Sequence, residues 1–287
     1  MCLSIIKTEI MLRYFRFGVI AVFFAALWAS CNENEPIIPP VGPQESGSRV
    51  VLIEEFTGVR CPNCPAGAEE IESLLALYPD NLVAVTIHAG SFAFAFDTSK
   101  YDFKVQEGID ITNALGGEPL FYPSAVIDRK TFGTGSLYLG KAEWAGRIQS
   151  ELAQEPAVGL GLEGSYNPAD RQLDITVTLL PNETLSGEIN LTILVTESGM
   201  VDIQANELED DGYSEDYVHK HVLRGTITPA LGEPLQTPLS EGQPVVRSYQ
   251  YTLPDEWVPD NCELVAFVHR SGSEEEVLQA ARLYIED

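Results

Sequence analysis

Two cysteines separated by two residues, Cys61 and Cys64, are the residues of this sequence best suited to do chemistry. This spacing allows one thiolate to attack a disulfide and the other thiol to resolve the mixed disulfide that results. The attacking group must be a thiolate, and a thiol loses its proton more readily beside a helix N-terminus, where unpaired amides and the helix dipole favour an anion. The pair therefore predicts thiol–disulfide exchange, provided that a helix begins beside it.

The flanking sequence predicts such a helix. An apolar, β-branched run over residues 50–56 is typical of a buried strand. After the cysteines, Pro65 suits the first turn of a helix, and four apolar residues recur at helical spacing, namely Ile71, Leu74, Leu75 and Tyr78. The cysteines then lie at a strand-to-helix turn, with Cys61 as the nucleophile and Cys64 as the resolving thiol.

Two further residues resemble parts of the thioredoxin site. Glu55, six residues before Cys61, falls where thioredoxins carry a buried acidic residue that relays a proton. Pro123 precedes a third apolar stretch, residues 124–129, as does the cis-proline that packs beside the cysteines in that fold. The resemblance implies that Glu55 assists proton transfer and that Pro123 shapes the substrate groove. A second strand over residues 81–88 and a helix over residues 140–154 complete the predicted domain.

Other interpretations of the cysteine pair stay open. The pair could be a permanent disulfide that only staples the turn. It could also be half of a structural zinc site, but zinc needs four ligands and the sequence has no second cysteine pair. His88 could be a third ligand or a proton donor, although a hydrogen-bonded core histidine is commoner. We therefore expect no cofactor and no metal.

The first thirty residues have the pattern of a lipoprotein signal peptide. Arg13 and Arg16 precede an apolar run, residues 17–29, which ends in small residues before Cys31. That run is shorter than the roughly 20 residues that a membrane-spanning helix needs. The pattern resembles a lipobox, which implies cleavage before Cys31 and lipid attachment to its sulfur; an ordinary signal peptide cut nearby is the alternative. Residues 31–48, rich in Pro, Gly and Glu, are predicted to be a flexible tether.

The charge of the chain restricts its partners. The formal net charge is -26 at pH 7, and so acidic a protein would be repelled by the phosphates of nucleic acid. We therefore expect no nucleic-acid partner. The expected partners are protein thiols or disulfides and, through the lipid anchor, a membrane.

From residue 156 onward the apolar residues alternate with period two, which is typical of strands. Seven such stretches predict an all-β immunoglobulin-like sandwich over residues 155–287. The predicted fold class is thus an α/β thioredoxin-like domain, residues 49–154, followed by this sandwich. A long polar connection, residues 197–220, is a candidate binding surface, and its histidines and acidic residues match no established metal-ligand spacing. Cys262 is predicted to be a small buried hydrophobe.

Four stretches together resemble the outer-membrane protein twenty-eight family of Gram-negative lipoproteins, namely residues 51–65, 86–90, 121–129 and 219–225. The first is shared with thioredoxin-like proteins in general, whereas the last, HKHVLRG, points to this family. The resemblance implies a thioredoxin-like domain followed by a β-sandwich, and a location in the outer membrane. It leaves the activity open, because some members are regarded as surface or adhesion antigens.

The leading hypothesis is a membrane-tethered thiol:disulfide oxidoreductase whose site residues are Cys61, Cys64, Glu55 and Pro123. One alternative is a non-catalytic binding lipoprotein that kept the same scaffold. Another is an adhesin that acts through the sandwich. The oxidoreductase hypothesis requires the sulfur of Cys61 to be both acidic and accessible.

Overall fold

Strands dominate the architecture. The computed structural model describes residues 47–272 and 275–285, and within them the chain forms three α-helices and fourteen β-strands. The helices are α1 (Cys64–Leu77), α2 (Gln106–Ala114) and α3 (Lys141–Leu152). The strands are β1 (Val51–Thr57), β2 (Leu82–His88), β3 (Ser124–Ile127), β4 (Leu139–Gly140), β5 (Val158–Asn167), β6 (Gln172–Pro181), β7 (Ile189–Glu197), β8 (Met200–Ala205), β9 (Tyr213–His219), β10 (Val222–Thr226), β11 (Glu233–Pro234), β12 (Val245–Thr252), β13 (Cys262–Arg270) and β14 (Val277–Tyr284).

The largest sheet contains nine strands from both halves of the chain. Its order is β14-β13-β7-β10-β2-β1-β3-β4, and β11 also pairs with β7. Strands β1 and β2 are parallel, and β3 runs antiparallel to β1 on its other side. From the C-terminal half, β10 runs parallel to β2, with Val222 opposite Thr86. The amide of Thr86 donates to the carbonyl of His221 at 2.7 Å, which joins the two halves.

This shared sheet shows that the predicted fold class is wrong. The described residues do not divide into an α/β thioredoxin-like domain and a separate all-β sandwich, because β7, β10, β13 and β14 continue the sheet that contains β1, β2 and β3. The error has a physical cause: hydrophobic periodicity identifies a strand, whereas long-range packing decides which strand it pairs with. The boundary predicted near residue 154 falls in the connection between α3 and β5, and the division into domains at this boundary stays a prediction.

Apolar side chains cover both faces of the C-terminal part of this sheet. On one face, Ile193 of β7 packs in a cluster with Val177 of the small sheet β12-β6-β5. On the other face, Leu194 and Phe267 belong to the same cluster as Leu52 of β1. Successive side chains of a strand point to opposite faces, so β7 is buried throughout its length. The second cluster contains residues of both halves, so the two halves of the chain share one hydrophobic core.

Helix α1 lies over one face of β1 and β2. Its Ile71 and Leu74 belong to a third cluster with Ile53 of β1 and Trp144 of α3. This packing fixes the start of α1, at Cys64, above the polar ends of β1 and β2. None of the three described helices has the length and hydropathy that crossing a membrane would require.

Candidate functional site

Cys61 and Cys64 form a disulfide at the start of α1. The helix begins at Cys64, and Pro65 occupies its first turn, as the sequence predicts. The amide of Cys61 donates to the carbonyl of Gly58 at 3.0 Å. The residues Cys61 and Cys64 are only 2% and 3% exposed, so the accessible sulfur that the oxidoreductase hypothesis requires is not observed.

The hairpin β8–β9 covers the disulfide loop. Four hydrogen bonds join the end of β8 to this loop: Gln204 Nε2 to Gly58 O at 3.3 Å and to Cys61 O at 2.9 Å, Ala205 N to Val59 O at 2.8 Å, and Glu207 N to Pro62 O at 3.1 Å. These bonds hold a segment of the C-terminal half against the cysteine pair.

The long polar connection predicted over residues 197–220 is not observed. Most of these residues form the strands β8 and β9.

Glu55 and Pro123 lie beside α1 as well. A Cβ atom at Gly67 of α1 would lie 2.7 Å from both Glu55 Oε1 and Pro123 Cβ, so only glycine allows the helix to approach so closely. The Tyr122–Pro123 peptide bond is cis, as predicted. The structure thus brings together Cys61, Cys64, Glu55 and Pro123, whereas their roles stay predictions. Cys31, the predicted site of lipid attachment, lies outside the described residues.

Four polar side chains form a patch on the sheet beneath α1. Glu55 lies opposite Thr86, and Thr57 lies opposite His88, in the parallel pair β1–β2. Residues two apart on a strand share a face, and all four are buried. The sequence singled out Glu55 and His88, but it did not indicate that they share one surface.

A cavity of about 230 Å³ opens beside this patch. The patch supplies its floor, α1 supplies one wall, and β9 with the two following residues supplies another. The lining residues are Glu55, Thr57, Cys64, Pro65, Ala68, Glu69, Ile71, Glu72, Thr86, His88, Gln204, Tyr217, Val218, His219, Lys220 and His221. The disulfide therefore lies at the edge of a cavity whose walls come from both halves of the chain.

The inner polar groups of the cavity are uncharged at neutral pH. Burial raises the pKa of Glu55 to about 8, although the positive charge of His221 opposes the shift. Burial lowers the pKa of His88 well below its usual value, and the neighbouring His219 lowers it further. Burial also lowers the pKa of His219 to about 4. The floor and inner wall thus present a protonated carboxyl group and two neutral imidazoles.

The charged residues of the cavity pair with one another. Glu72 accepts from Lys220 Nζ at 2.6 Å and lies 3.1 Å from Nε2 of His221. Burial alone would lower the pKa of His221, but the carboxylates of Glu263 and Glu72 raise it to about 9. The hydrogen bond with His221 is the main cause that lowers the pKa of Glu72 to about 2. These residues therefore form a compensated ionic group rather than a free charge.

Four residues of the site could not be assigned to it from the sequence alone, namely Gln204, Tyr217, His219 and His221. The sequence does indicate the hairpin, because Tyr213, Tyr217 and His219 follow Gly212 at positions that alternate along a strand and so share one face. The many acidic residues between them concealed this alternation. Among the described residues, no group of three or more His, Cys, Asp or Glu side chains is arranged to hold a metal ion.

Comparisons with known proteins decide the family. The family model described as outer membrane protein Omp28 matches residues 120–286, more than half of the chain. The protein belongs to the Omp28 family. This membership confirms the family resemblance and the predicted location in the outer membrane, as expected for a lipid-anchored protein. A search of the curated proteins finds no match.

Solved structures support the overall fold. HBP35 of Porphyromonas gingivalis is similar with a TM-score of 0.65 and 20% identity, over 84% of this chain and 76% of that one. A crystal structure of a protein from Agrobacterium tumefaciens is similar with a TM-score of 0.52 and 12% identity, over 84% of this chain and 97% of that one. A domain of the outer membrane lipoprotein Omp28 from Porphyromonas gingivalis aligns with a TM-score of only 0.31 and 17% identity, over 46% of this chain and 91% of that one.

Proposed function

We propose that this Omp28-family protein is a non-catalytic binding protein of the outer membrane, and that it holds a small molecule in the cavity between α1 and β9. Its disulfide then stabilises the edge of the binding site. This is the alternative to the oxidoreductase hypothesis, in which protein thiols or disulfides would be the partners.

One observation carries the proposal. Seven buried side-chain atoms in the described residues have no hydrogen-bond partner. Four of them belong to residues that line this cavity, namely Glu55 Oε1, His88 Nδ1, His219 Nε2 and His221 Nδ1. Buried polar atoms are nearly always paired, and each unpaired one costs about 1–3 kcal/mol. A concentration of such atoms at one cavity is the arrangement expected of a site that pairs them with a ligand.

The shape of the site supports binding over disulfide exchange. Small-molecule sites are concave, mostly apolar, and carry a few convergent polar groups. Exchange instead requires a sulfur that a protein substrate can reach in line. Here Cys61 is buried, and Gln204 Nε2 donates to its carbonyl oxygen.

The first test concerns the chemistry of the disulfide. The reduction of insulin by dithiothreitol is followed with and without the purified protein. We expect no acceleration. Acceleration that disappears in Cys61→Ser would overturn the binding proposal in favour of the oxidoreductase.

The second test concerns the cavity. Ala68 lines it, so Ala68→Trp should fill it, whereas Ala142→Trp places the same side chain on the exposed surface of α3. Ligand-observed NMR with a set of small neutral and charged fragments should show binding to the wild type and to Ala142→Trp, and none to Ala68→Trp. Equal binding to all three proteins would show that the cavity is not the site.

A further inference from the structure

The inner end of the cavity has the groups of a site for an uncharged molecule. Glu55, His88 and His219 each present a buried polar atom without a partner, at Oε1, Nδ1 and Nε2 respectively. The rings of His88 and His219 are neighbours, with their centroids 5.8 Å apart. A carboxyl group and neutral imidazoles can each donate or accept a hydrogen bond.

A charged group would be poorly held at this inner end. The cationic Lys220 and His221 already face Glu72, at 2.6 and 3.1 Å, and His221 also lies 3.8 Å from Glu263. Glu69, the other carboxylate of the lining, is exposed at the rim. A ligand charge beside Glu55 and His88 would therefore lose its hydration without gaining a counter-charge of its own.

The remaining walls favour a ring. Pro65, Ala68 and Ile71 of α1 line one wall of the cavity, and Tyr217 of β9 lines another. Apolar groups together with an aromatic side chain suit a hydrocarbon ring, which gains dispersion contacts with them.

The volume suits a small ligand. The cavity measures about 230 Å³, and an apolar cavity of about 150 Å³ binds benzene. A single substituted ring therefore fits.

We infer that the cavity binds an uncharged single-ring molecule whose hydroxyl group pairs with the unpartnered atoms of Glu55, His88 and His219. The inference rests on the proposed function and specifies its ligand class. It concerns the cavity alone and assigns no chemistry to the disulfide.

A matched series of four compounds tests the inference at pH 7: benzyl alcohol, benzylamine, benzoate and toluene. Binding is measured by the NMR shifts of the imidazole signals of His88 and His219. We expect benzyl alcohol to bind at least about tenfold more tightly than the two ions, which must shed their hydration. Toluene should also bind more weakly, because it leaves the three polar atoms unpaired.

Variants of Glu55 provide the second measurement. Glu55→Leu removes the polar group, and we expect it to weaken the binding of benzyl alcohol about tenfold. Glu55→Gln restores an uncharged polar group of similar shape and should recover most of the loss. Glu143→Gln, an exposed change on α3, is the matched control.

The outcomes separate this inference from the proposed function. Tighter binding of benzylamine or benzoate, with the same imidazole shifts and with loss in Ala68→Trp, would overturn the ligand class and leave the binding site in place. The absence of binding by all four compounds would also overturn the class. Failure of the proposed function would instead appear in the insulin assay or in unchanged fragment binding by Ala68→Trp.

Discussion

The side-chain amide of Gln204 donates to the carbonyl oxygen of Cys61 at 2.9 Å, across 143 residues of sequence. The same nitrogen also donates to the carbonyl of Gly58, at 3.3 Å. Both carbonyls belong to the loop that precedes α1, and both bonds are buried. One residue of the C-terminal half therefore fixes the backbone that carries the disulfide.

Gln204→Leu should make the disulfide easier to reduce. Leucine has a similar size but cannot donate, so the carbonyls of Gly58 and Cys61 keep only their backbone donors. The hairpin is then held less firmly, at a cost of about 1.4 kcal/mol. If reduction proceeds through local opening of the hairpin, dithiothreitol should reduce the pair about tenfold faster. The rate is measured by alkylation and mass spectrometry. Gln250→Leu, which removes an exposed bond to Asp174, should leave the rate unchanged, and an unchanged rate in Gln204→Leu would contradict the role of the hairpin.

Gly67→Ala should destabilise the protein, whereas Gly146→Ala should not. The new Cβ at position 67 would lie 2.7 Å from Glu55 Oε1 and from Pro123 Cβ, but a Cβ at position 146 meets nothing within 4 Å. We expect a loss of about 1–3 kcal/mol for the first change and a gain of about 0.5–1 kcal/mol for the second. Urea unfolding measures both. Equal effects would show that α1 does not pack against Glu55 and Pro123 as described.

The elements of the fold could be predicted better than their partners. Seven alternating stretches are seven observed strands, and the helix predicted over residues 140–154 is α3. The junction between the halves could not be predicted, because within the sheet it consists of one short pairing, Val222 opposite Thr86. Nothing in the alternation of either strand specifies that neighbour.

The candidate site shows the same division. Cys61 and Cys64 could be placed from local spacing, because they lie between a strand and a helix that periodicity identifies, whereas Pro123 was placed by its resemblance to the thioredoxin site. The burial of the disulfide could not, because Gln204 reaches it from a distant segment. Local sequence thus predicted a reactive turn, and a tertiary contact covers it.

Glu55→Gln should stabilise the protein at high pH but not at low pH. Burial raises the pKa of Glu55 from 4.5 to about 8, so its contribution to stability is fully present below pH 4.5 and is lost as the pH rises through about 8. The other titratable groups that face it, His221 and Tyr217, are present in both proteins. We expect nearly equal free energies of unfolding at pH 4.5 and an advantage for the variant on the order of 5 kcal/mol at pH 9. Denaturant titrations at the two pH values measure the difference, and a difference that does not change with pH would show that Glu55 is not held protonated.

Glu72→Gln should lower the pKa of His221. In the wild type, the carboxylates of Glu263 and Glu72 keep this imidazole protonated up to a pKa of about 9, against the effect of burial. The amide removes one of the two charges, while Glu263 remains 3.8 Å from Nδ1, so the pKa should fall toward the ordinary 6.5 without reaching the low values of His88 and His219. A nitrogen-15 NMR titration of the imidazole measures it, with Glu143→Gln as the control. Because a raised histidine pKa stabilises the fold below pH 6.5 and this contribution is lost as the pH passes 9, the variant should also lose its stability at a lower pH than the wild type. An imidazole that still titrates near pH 9 would mean that Glu263 alone holds the charge at the rim of the cavity.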